Sequence, residues 1–389
     1  MTLSEHFSNK TAPKRILALD GGGIRGALTL GYLQRIEDLL RKQNGNSKDF
    51  RLSDYFDLIG GTSTGSIIAS ALAIGLKVED IKSMYMELGE KIFAKKYKWW
   101  KIFEVDELVK AGYNAKPLEE QLQKVFGDIT LESDKIKTGL CIVAKRADTN
   151  SVWPLINHPG GKYFGSADGM NKDILLWKAV RASSAAPTYF LPQIIDVGGG
   201  LSEAAFVDGG VSMANNPALQ LLMVATLQGF PFKWKWGADN LMVVSVGTGM
   251  SRWKKIPADV KKNNILKWAQ QLPDMLMQDA SWHNQLLMQW FSNSPNAWEI
   301  DGETGKLEND FIGSAKKANG FISYLRYNTW LDAETLNPLM KKEYAQKEID
   351  GLVEMSNAAS RFELYDIGLK DAASKVTETH FPDTFKIKA

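Results

Sequence analysis

Apolar positions along this chain fall into two alternating rhythms. Arg15 to Asp20 holds a short, nearly unbroken apolar run, the pattern of a strand buried on both faces. From Gly26 to about Lys42, Leu28, Leu30, Leu33, Ile36, Leu39 and Leu40 recur at helical spacing. Phe56 to Ile59 is strand-like again, Ser66 to Gly75 is an Ile/Ala-rich helix, and Glu79 to Lys91 and Pro117 to Phe126 are further helices. Thr138 to Lys145 reads as a strand from its β-branched and apolar content. Trp177 to Ser183 is helical, and Ala204 to Asp208 is a short strand stopped by Gly209-Gly210. Asn215-Asn216-Pro217 opens a helix to about Gln228, because proline in a first turn removes no needed hydrogen bond. Leu241 to Val246 is a strong strand, followed by a turn at Gly247-Thr248-Gly249.

Strands alternating with helices predict an α/β fold of three layers, with a mainly parallel central sheet covered by helices on both faces. After Gly249 the strand signal fades, and the remainder to Ala389 reads as helical and charged. The expected organisation is an N-terminal tail (1–13), a core (14–250) and a helical C-terminal extension packed on that core (251–389).

Composition narrows this picture only slightly. The 389 residues are 44% hydrophobic and 24% charged, ordinary for a globular chain, and a net charge of +2 gives no reason to expect a nucleic-acid partner. Cys141 is the single cysteine, so no intramolecular disulfide and no thiolate metal cluster can form, which fits a reducing cytoplasm. The first 14 residues lack the apolar core of a signal peptide, and no stretch approaches the roughly 18 apolar residues of a membrane span. The expected location is the cytoplasm, with any membrane contact peripheral.

Candidate chemistry concentrates in two glycine-rich loops, each after an apolar run and before a helical one. Asp20-Gly21-Gly22-Gly23-Ile24-Arg25-Gly26 can present consecutive backbone N–H groups to an anion. Gly60-Gly61-Thr62-Ser63-Thr64-Gly65 contains G-x-S-x-G, the strand-turn-helix elbow that exposes a serine nucleophile. Together they suggest acyl transfer with main-chain stabilisation of an oxyanion. A nucleotide phosphate competes for the first loop, since Gly21-x-Gly23-x-x-Gly26 matches a dinucleotide fingerprint. The acidic ribose ligand expected about 20 residues on falls in the Asn44 to Lys48 loop, and no Walker lysine motif is present. Arg25 inside the loop can hold an anionic substrate or tie the loop down.

A serine nucleophile needs a base. His6 and His380 lie near the chain ends, His158 in a Pro/Gly loop and His283 in a tryptophan-rich helix. Ser63, Asp208 and His283 follow the chain order of a hydrolase triad. Asp208 acting alone is the better candidate, because a tight Asp-Gly turn at a strand end can aim its carboxylate at the serine. Its low reference pKa must then be offset by burial or by coupling to the oxyanion.

These blocks together resemble the patatin-like phospholipases, a family of lipid acyl hydrolases, and point to a bacterial-type member. Asp20 to Gly26 resembles the family's oxyanion motif, Gly61 to Gly65 its nucleophile elbow, and Asp208-Gly209-Gly210 its dyad aspartate motif. Ala182 to Pro187, Asn215 to Pro217, Ser245 to Gly249 and Lys116 to Gly127 have the family look, in family order across roughly 14–250. The resemblance implies a Ser–Asp dyad with no catalytic histidine, Ser63 as nucleophile and Asp208 as base. It places the oxyanion on the amides of Gly22, Gly23 and Ile24, with Arg25 in support and Gly21, Gly26, Gly61, Gly65, Gly209 and Gly210 shaping the loops. Gly210 stands where many members carry alanine. The implied substrate is a phospholipid or lysophospholipid, with no cofactor and no metal. An acyltransferase or thioesterase using the same acyl-Ser63 is an alternative. Some relatives are switched on by cyclic nucleotides, so such an activator is a further expectation.

Between Lys91 and Phe103, Lys95, Lys96 and Lys98 interleave with Trp99 and Trp100, a pattern suited to an anionic headgroup surface or to lid packing. Residues 265–290 carry Leu, Met and Trp on more than one helical face. That reads as buried packing, with an acyl-chain channel or an oligomer face as the sharper alternatives.

Overall fold

The computed structural model describes residues 1–10, 13–93, 114–187, 189–199, 203–252, 256–301, 303–307 and 320–387. Its strands are β1 (Lys14–Leu19), β2 (Leu58–Thr62), β3 (Gly139–Arg146), β4 (Ser151–Ile156), β5 (Gln193–Asp196), β6 (Glu203–Asp208), β7 (Leu241–Val246), β8 (Ser292–Asn293) and β9 (Ile322–Tyr327). Its helices are α1 (Leu3–Phe7), α2 (Gly26–Gln43), α3 (Leu52–Tyr55), α4 (Thr64–Ala73), α5 (Val78–Phe93), α6 (Lys116–Phe126) and α7 (Leu176–Ser183). They continue with α8 (Ala218–Thr226), α9 (Pro257–Val260), α10 (Ile265–Trp290), α11 (Ala333–Met340), α12 (Gln346–Val353) and α13 (Arg361–Lys375).

The strands form one sheet in the order β5-β6-β3-β2-β1-β7-β9-β8, with β4 also paired to β3. Pairing is parallel from β3 through β2, β1, β7 and β9 to β8, and antiparallel where β3 meets β4 and β6 and where β5 meets β6. All six residues of β1 are buried, as its unbroken apolar run requires. Side-chain alternation divides that strand between two cores. Leu17 and Leu19 join Leu28 and Leu33 of α2 and Ile68 of α4, whereas Ile16 and Ala18 join Leu221 and Val224 of α8. Helices therefore cover both faces, the three-layer α/β arrangement that the pattern predicts.

The helical expectation for residues 251–389 needs one correction. β9 lies within the sheet, parallel to β7, with Val243 opposite Tyr324 and Ser245 opposite Arg326. A six-residue run with a charged residue in it does not declare its period, so its place in the sheet had to come from pairing. The C-terminal residues are also tightly joined to the N-terminal half. α13 crosses α2 where Gly368 meets Gly31, and a Cβ on Gly368 would lie 2.9 Å from the Leu28 carbonyl carbon.

One register relation positions the candidate site. β4 occupies one edge of β3, so β2 and β6 share the other, end to end. Thr62 pairs with Val143 and Asp208 with Ala144. The C-terminal ends of two strands that run toward each other therefore meet at neighbouring positions of β3.

Candidate active site

Ser63 sits in the turn between β2 and α4. Its backbone is at φ 54°, ψ −125°, a strained conformation for a residue with a side chain. The strain is held by bonds on both sides. The Ser63 N–H donates to the Ser183 hydroxyl at 2.9 Å, which itself donates to the Val143 carbonyl at 2.6 Å. The Ser63 carbonyl accepts from the Ser66 N–H at 2.9 Å and from its hydroxyl at 2.6 Å. The Ser63 side chain does not cap α4, although the positive end of that helix points at it.

Asp208 ends β6 and is 5% exposed. Its Oδ1 accepts from the Gly210 N–H at 2.7 Å, and the Ser63 hydroxyl lies near enough to the carboxylate to favour its charged form. Burial pushes its pKa up to about 6, against the lowering effect of Ser63 and Gly210. The structure thus brings the two residues together in a dry setting and leaves the carboxylate more basic than a free aspartate.

The first glycine loop packs against this pair. Gly21 lies between Asn215 and Ser63, Gly61 and Gly65 pack on each other, and Gly209 lies against Val143. Three carbonyls of the loop are fixed: Gly21 accepts from the Thr248 hydroxyl at 3.0 Å, Gly22 from the Arg25 N–H at 3.2 Å and Gly23 from the Tyr85 hydroxyl at 2.5 Å. A peptide's N–H points opposite to its carbonyl, so fixing these carbonyls also fixes the amides of Gly22, Gly23 and Ile24. The Gly22 and Gly23 amides have no acceptor among the described residues. Ile24 departs from expectation, because its N–H donates to the Met355 carbonyl at 2.8 Å and is already occupied. Gly23 sits at φ 58°, and a Cβ there would lie 3.1 Å from that of Met355.

Several contributors had no signal in the sequence. Arg326 of β9 holds Asp20 with two hydrogen bonds of 2.9 and 2.6 Å and bonds Ser245 at 2.7 Å. Burial opposes the charged guanidinium, but Asp20 outweighs it and raises the Arg326 pKa above its usual value. Tyr85 of α5 bridges the two loops. Its hydroxyl donates to Gly23, so it must accept from Thr64, 2.5 Å away. Gly26 makes room for this bridge, since a Cβ there would meet the Tyr85 oxygen at 2.6 Å.

Arg25 is half-buried, and burial lowers its pKa to about 10, countered by Asp274, Tyr189 and Asp20. Its Nε has no hydrogen-bond partner among the described residues.

The histidines are engaged elsewhere or turned outward. His6 bonds Asp57 at 3.1 Å, and His380 bonds the Tyr327 hydroxyl at 2.8 Å. His158 packs on Phe7 and Phe232, with its pKa lowered by burial to about 4. His283 is exposed on α10. No hydrogen bond joins any of the four to Ser63 or Asp208 among the described residues.

Lys95, Lys96, Lys98, Trp99 and Trp100 lie outside the described residues. Among the described residues, no group of three or more His, Cys, Asp or Glu is placed to hold a metal ion. No described helix is long and apolar enough to cross a membrane.

A strained serine at a strand-to-helix turn thus lies beside a buried aspartate and a glycine loop, in a fold whose class the comparisons identify as that of lipid ester hydrolases. The patatin-like phospholipase family profile matches residues 17–222, more than half of the chain, and the chain belongs to that family. It is similar to patatin-like protein 4 of Arabidopsis thaliana, 26% identical over 348 residues, 80% of this chain and 83% of that protein. It is also similar to cGAMP-activated phospholipases of Escherichia coli (32% identical, 52% of this chain, 53% of that protein) and Vibrio cholerae (33% identical, 55% and 57%). The match thus spans a little over half the length of the two bacterial proteins. Among solved structures it is similar to human GIVD cytosolic phospholipase A2, with 11% identity and a TM-score of 0.45 over 97% of this chain and 61% of that one.

Proposed function

We propose that this chain hydrolyses carboxylic ester bonds of phospholipids or lysophospholipids through an acyl-enzyme on Ser63. The observation that carries the reading is the neighbouring Ser63–Asp208 pair, set by the register of β2 and β6 on β3, beside the open amides of Gly22 and Gly23. Asp208 accepts the hydroxyl proton as Ser63 Oγ attacks the acyl carbonyl. The tetrahedral oxyanion is held by the Gly22 and Gly23 N–H groups; one such donor is worth about 10²–10³ in rate in other enzymes. Collapse breaks the ester bond, and Asp208 returns the proton to the leaving alcohol. Water then attacks the acyl-Ser63 ester, Asp208 takes its proton, and Ser63 regains a proton as the fatty acid leaves. A base with a pKa near 6 is mostly ionised at neutral pH yet stronger than free aspartate, which suits both proton transfers.

The test is hydrolysis of defined phospholipids in mixed micelles, with Ser63→Ala and Asp208→Ala as controls and with fluorophosphonate labelling of Ser63. Full activity in either variant overturns the dyad. Acyl transfer to an added alcohol would indicate an acyltransferase. The likeness to two cGAMP-activated phospholipases supports a second reading, activation by a cyclic dinucleotide. Assaying the purified chain with and without cGAMP decides it, and equal rates reject it.

A further inference from the structure

One peptide of the glycine loop is gripped from two sides. The Gly23 carbonyl accepts from the Tyr85 hydroxyl at 2.5 Å. The Ile24 N–H, in the same peptide plane, donates to the Met355 carbonyl at 2.8 Å. A planar peptide bonded at both polar ends cannot turn without breaking both bonds. That matters at this position. Gly23 sits at φ 58°, and glycine adopts positive and negative φ about equally, so nothing in the residue itself selects this conformation. The Gly22–Gly23 peptide, whose N–H is open to the oxyanion, joins the gripped plane at that permissive Cα.

The two grips are themselves joined. Met355 belongs to the turn between α12 and α13, residues 354–360. Asn357 braces that turn. Its side-chain amide donates to the Gly351 carbonyl at 2.9 Å and to the Ser360 hydroxyl at 2.7 Å, and that hydroxyl donates to the same carbonyl at 2.8 Å. Where the turn ends, Arg361 donates to the Ala358 carbonyl at 2.7 Å and to the Glu90 carboxylate at 2.8 Å. Glu90 lies on α5, as Tyr85 does. Gly89 lets these parts close, since a Cβ there would run into the Ile24 side chain and touch that of Arg361 at 3.5 Å. A ring of contacts thus runs from the Gly23–Ile24 peptide through Met355, Arg361, Glu90 and Tyr85 back to Gly23.

We propose that the α12–α13 turn is a positioning element of the catalytic loop and Asn357 its positioning residue. The braced turn holds the Met355 carbonyl on the Ile24 N–H, and so keeps the Gly22 and Gly23 N–H groups aimed at the oxyanion. The role rests on the proposed ester hydrolysis and deepens it, since part of the oxyanion site is then built by a segment far along the chain from the two glycine loops. The opposite role, a latch that blocks a third donor at Ile24, fits less well. A latch need only cover the N–H, whereas Tyr85 fixes the same peptide by its other end. The Gly22 and Gly23 amides also stay open with the turn in place.

The test measures hydrolysis of a short soluble ester by the full chain. Asn357→Ala is expected to lower kcat about tenfold or more and to leave KM within about twofold, because oxyanion donors act on the transition state and not on ground-state binding. Fluorophosphonate labelling of Ser63 should slow in parallel. Thr138→Val removes a buried bond to the Phe56 carbonyl at the far end of the sheet and is the stability control; it should leave kcat unchanged. Combined with Tyr85→Phe, the loss from Asn357→Ala should be less than multiplicative, because both changes act on one peptide. Arg361→Gln cuts the tie to Glu90, should lower kcat about two- to fivefold, and carries the test if Asn357→Ala does not fold. The proposal is overturned if the folded variants keep the parent's kcat, if KM rises with kcat unchanged, or if the two losses multiply as independent effects. A rise in kcat also overturns it and would make the turn a latch. Failure of the proposed chemistry reads differently: a parent that neither hydrolyses the ester nor is labelled at Ser63 removes the ester-hydrolase reading, and the positioning role with it.

Discussion

Asp208→Asn separates stability from activity in a way that depends on pH. In the folded chain the Asp208 carboxyl keeps its proton up to about pH 6, against 3.8 for the free group. The folded state therefore binds more protons than the unfolded state between these values, and stability falls as pH rises through the window. The difference is about 2 pKa units, and at 1.36 kcal/mol per unit it costs the folded protein about 3 kcal/mol at neutral pH. Well below pH 3.8 the cost is absent, because both states are protonated. Asparagine is neutral throughout and keeps an oxygen for the Gly210 N–H. The variant should thus be more stable than the parent by up to about 3 kcal/mol at pH 7.5 and equal to it at about pH 3. Urea unfolding at the two pH values measures this, while ester hydrolysis by the variant should be lost. In the parent, hydrolysis of a soluble ester should fall about tenfold from pH 7 to pH 5 as the base is protonated. A stability gap that is the same at both pH values, or a destabilised variant at pH 7.5, would refute a carboxyl held against burial. A flat rate profile from pH 5 to pH 7 would refute its role as base.

Three further outcomes follow from the same geometry. Arg326→Met leaves the Asp20 carboxylate buried without its cation and should cost about 3–5 kcal/mol in urea unfolding. Tyr85→Phe strands the Gly23 carbonyl and the Thr64 hydroxyl; it should cost about 1–3 kcal/mol and lower kcat for a soluble ester with little change in KM. His283→Ala should retain full ester hydrolysis, and a large loss of kcat would revive the Ser63–Asp208–His283 arrangement.

The parts of the candidate site that were legible in the sequence are those built by local chain geometry. A strand run into Gly61-Thr62-Ser63-Thr64-Gly65 leaves few backbone paths, and the glycines mark where the turn must be. An aspartate before two glycines at a strand end carries the same kind of signal. Ser183, Tyr85 and Arg326 carried none, because each acts from a distant segment and looks like an ordinary helix or strand residue. The misplaced expectations share this cause. Ile24 lies in a loop whose amides look alike in sequence, and only the arrival of the Met355 carbonyl distinguishes it. Residues 322–327 look like part of a helical extension until their pairing with β7 is seen. Ile265, Trp268, Leu272 and Leu276 of α10 read as buried packing yet are exposed, because hydrophobic periodicity reports that apolar residues recur, not what covers them.

The sequence by itself determined the α/β alternation, the two glycine loops and the Asp208-Gly209 turn, since period, φ/ψ permission and turn chemistry are local properties of a few neighbouring residues. Tertiary structure alone decided that Ser63 and Asp208 meet. Their contact depends on two strands ending at adjacent positions, Val143 and Ala144, on a third. It also decided which loop amides stay open and which face of α10 meets solvent, because those outcomes depend on partners far away along the chain.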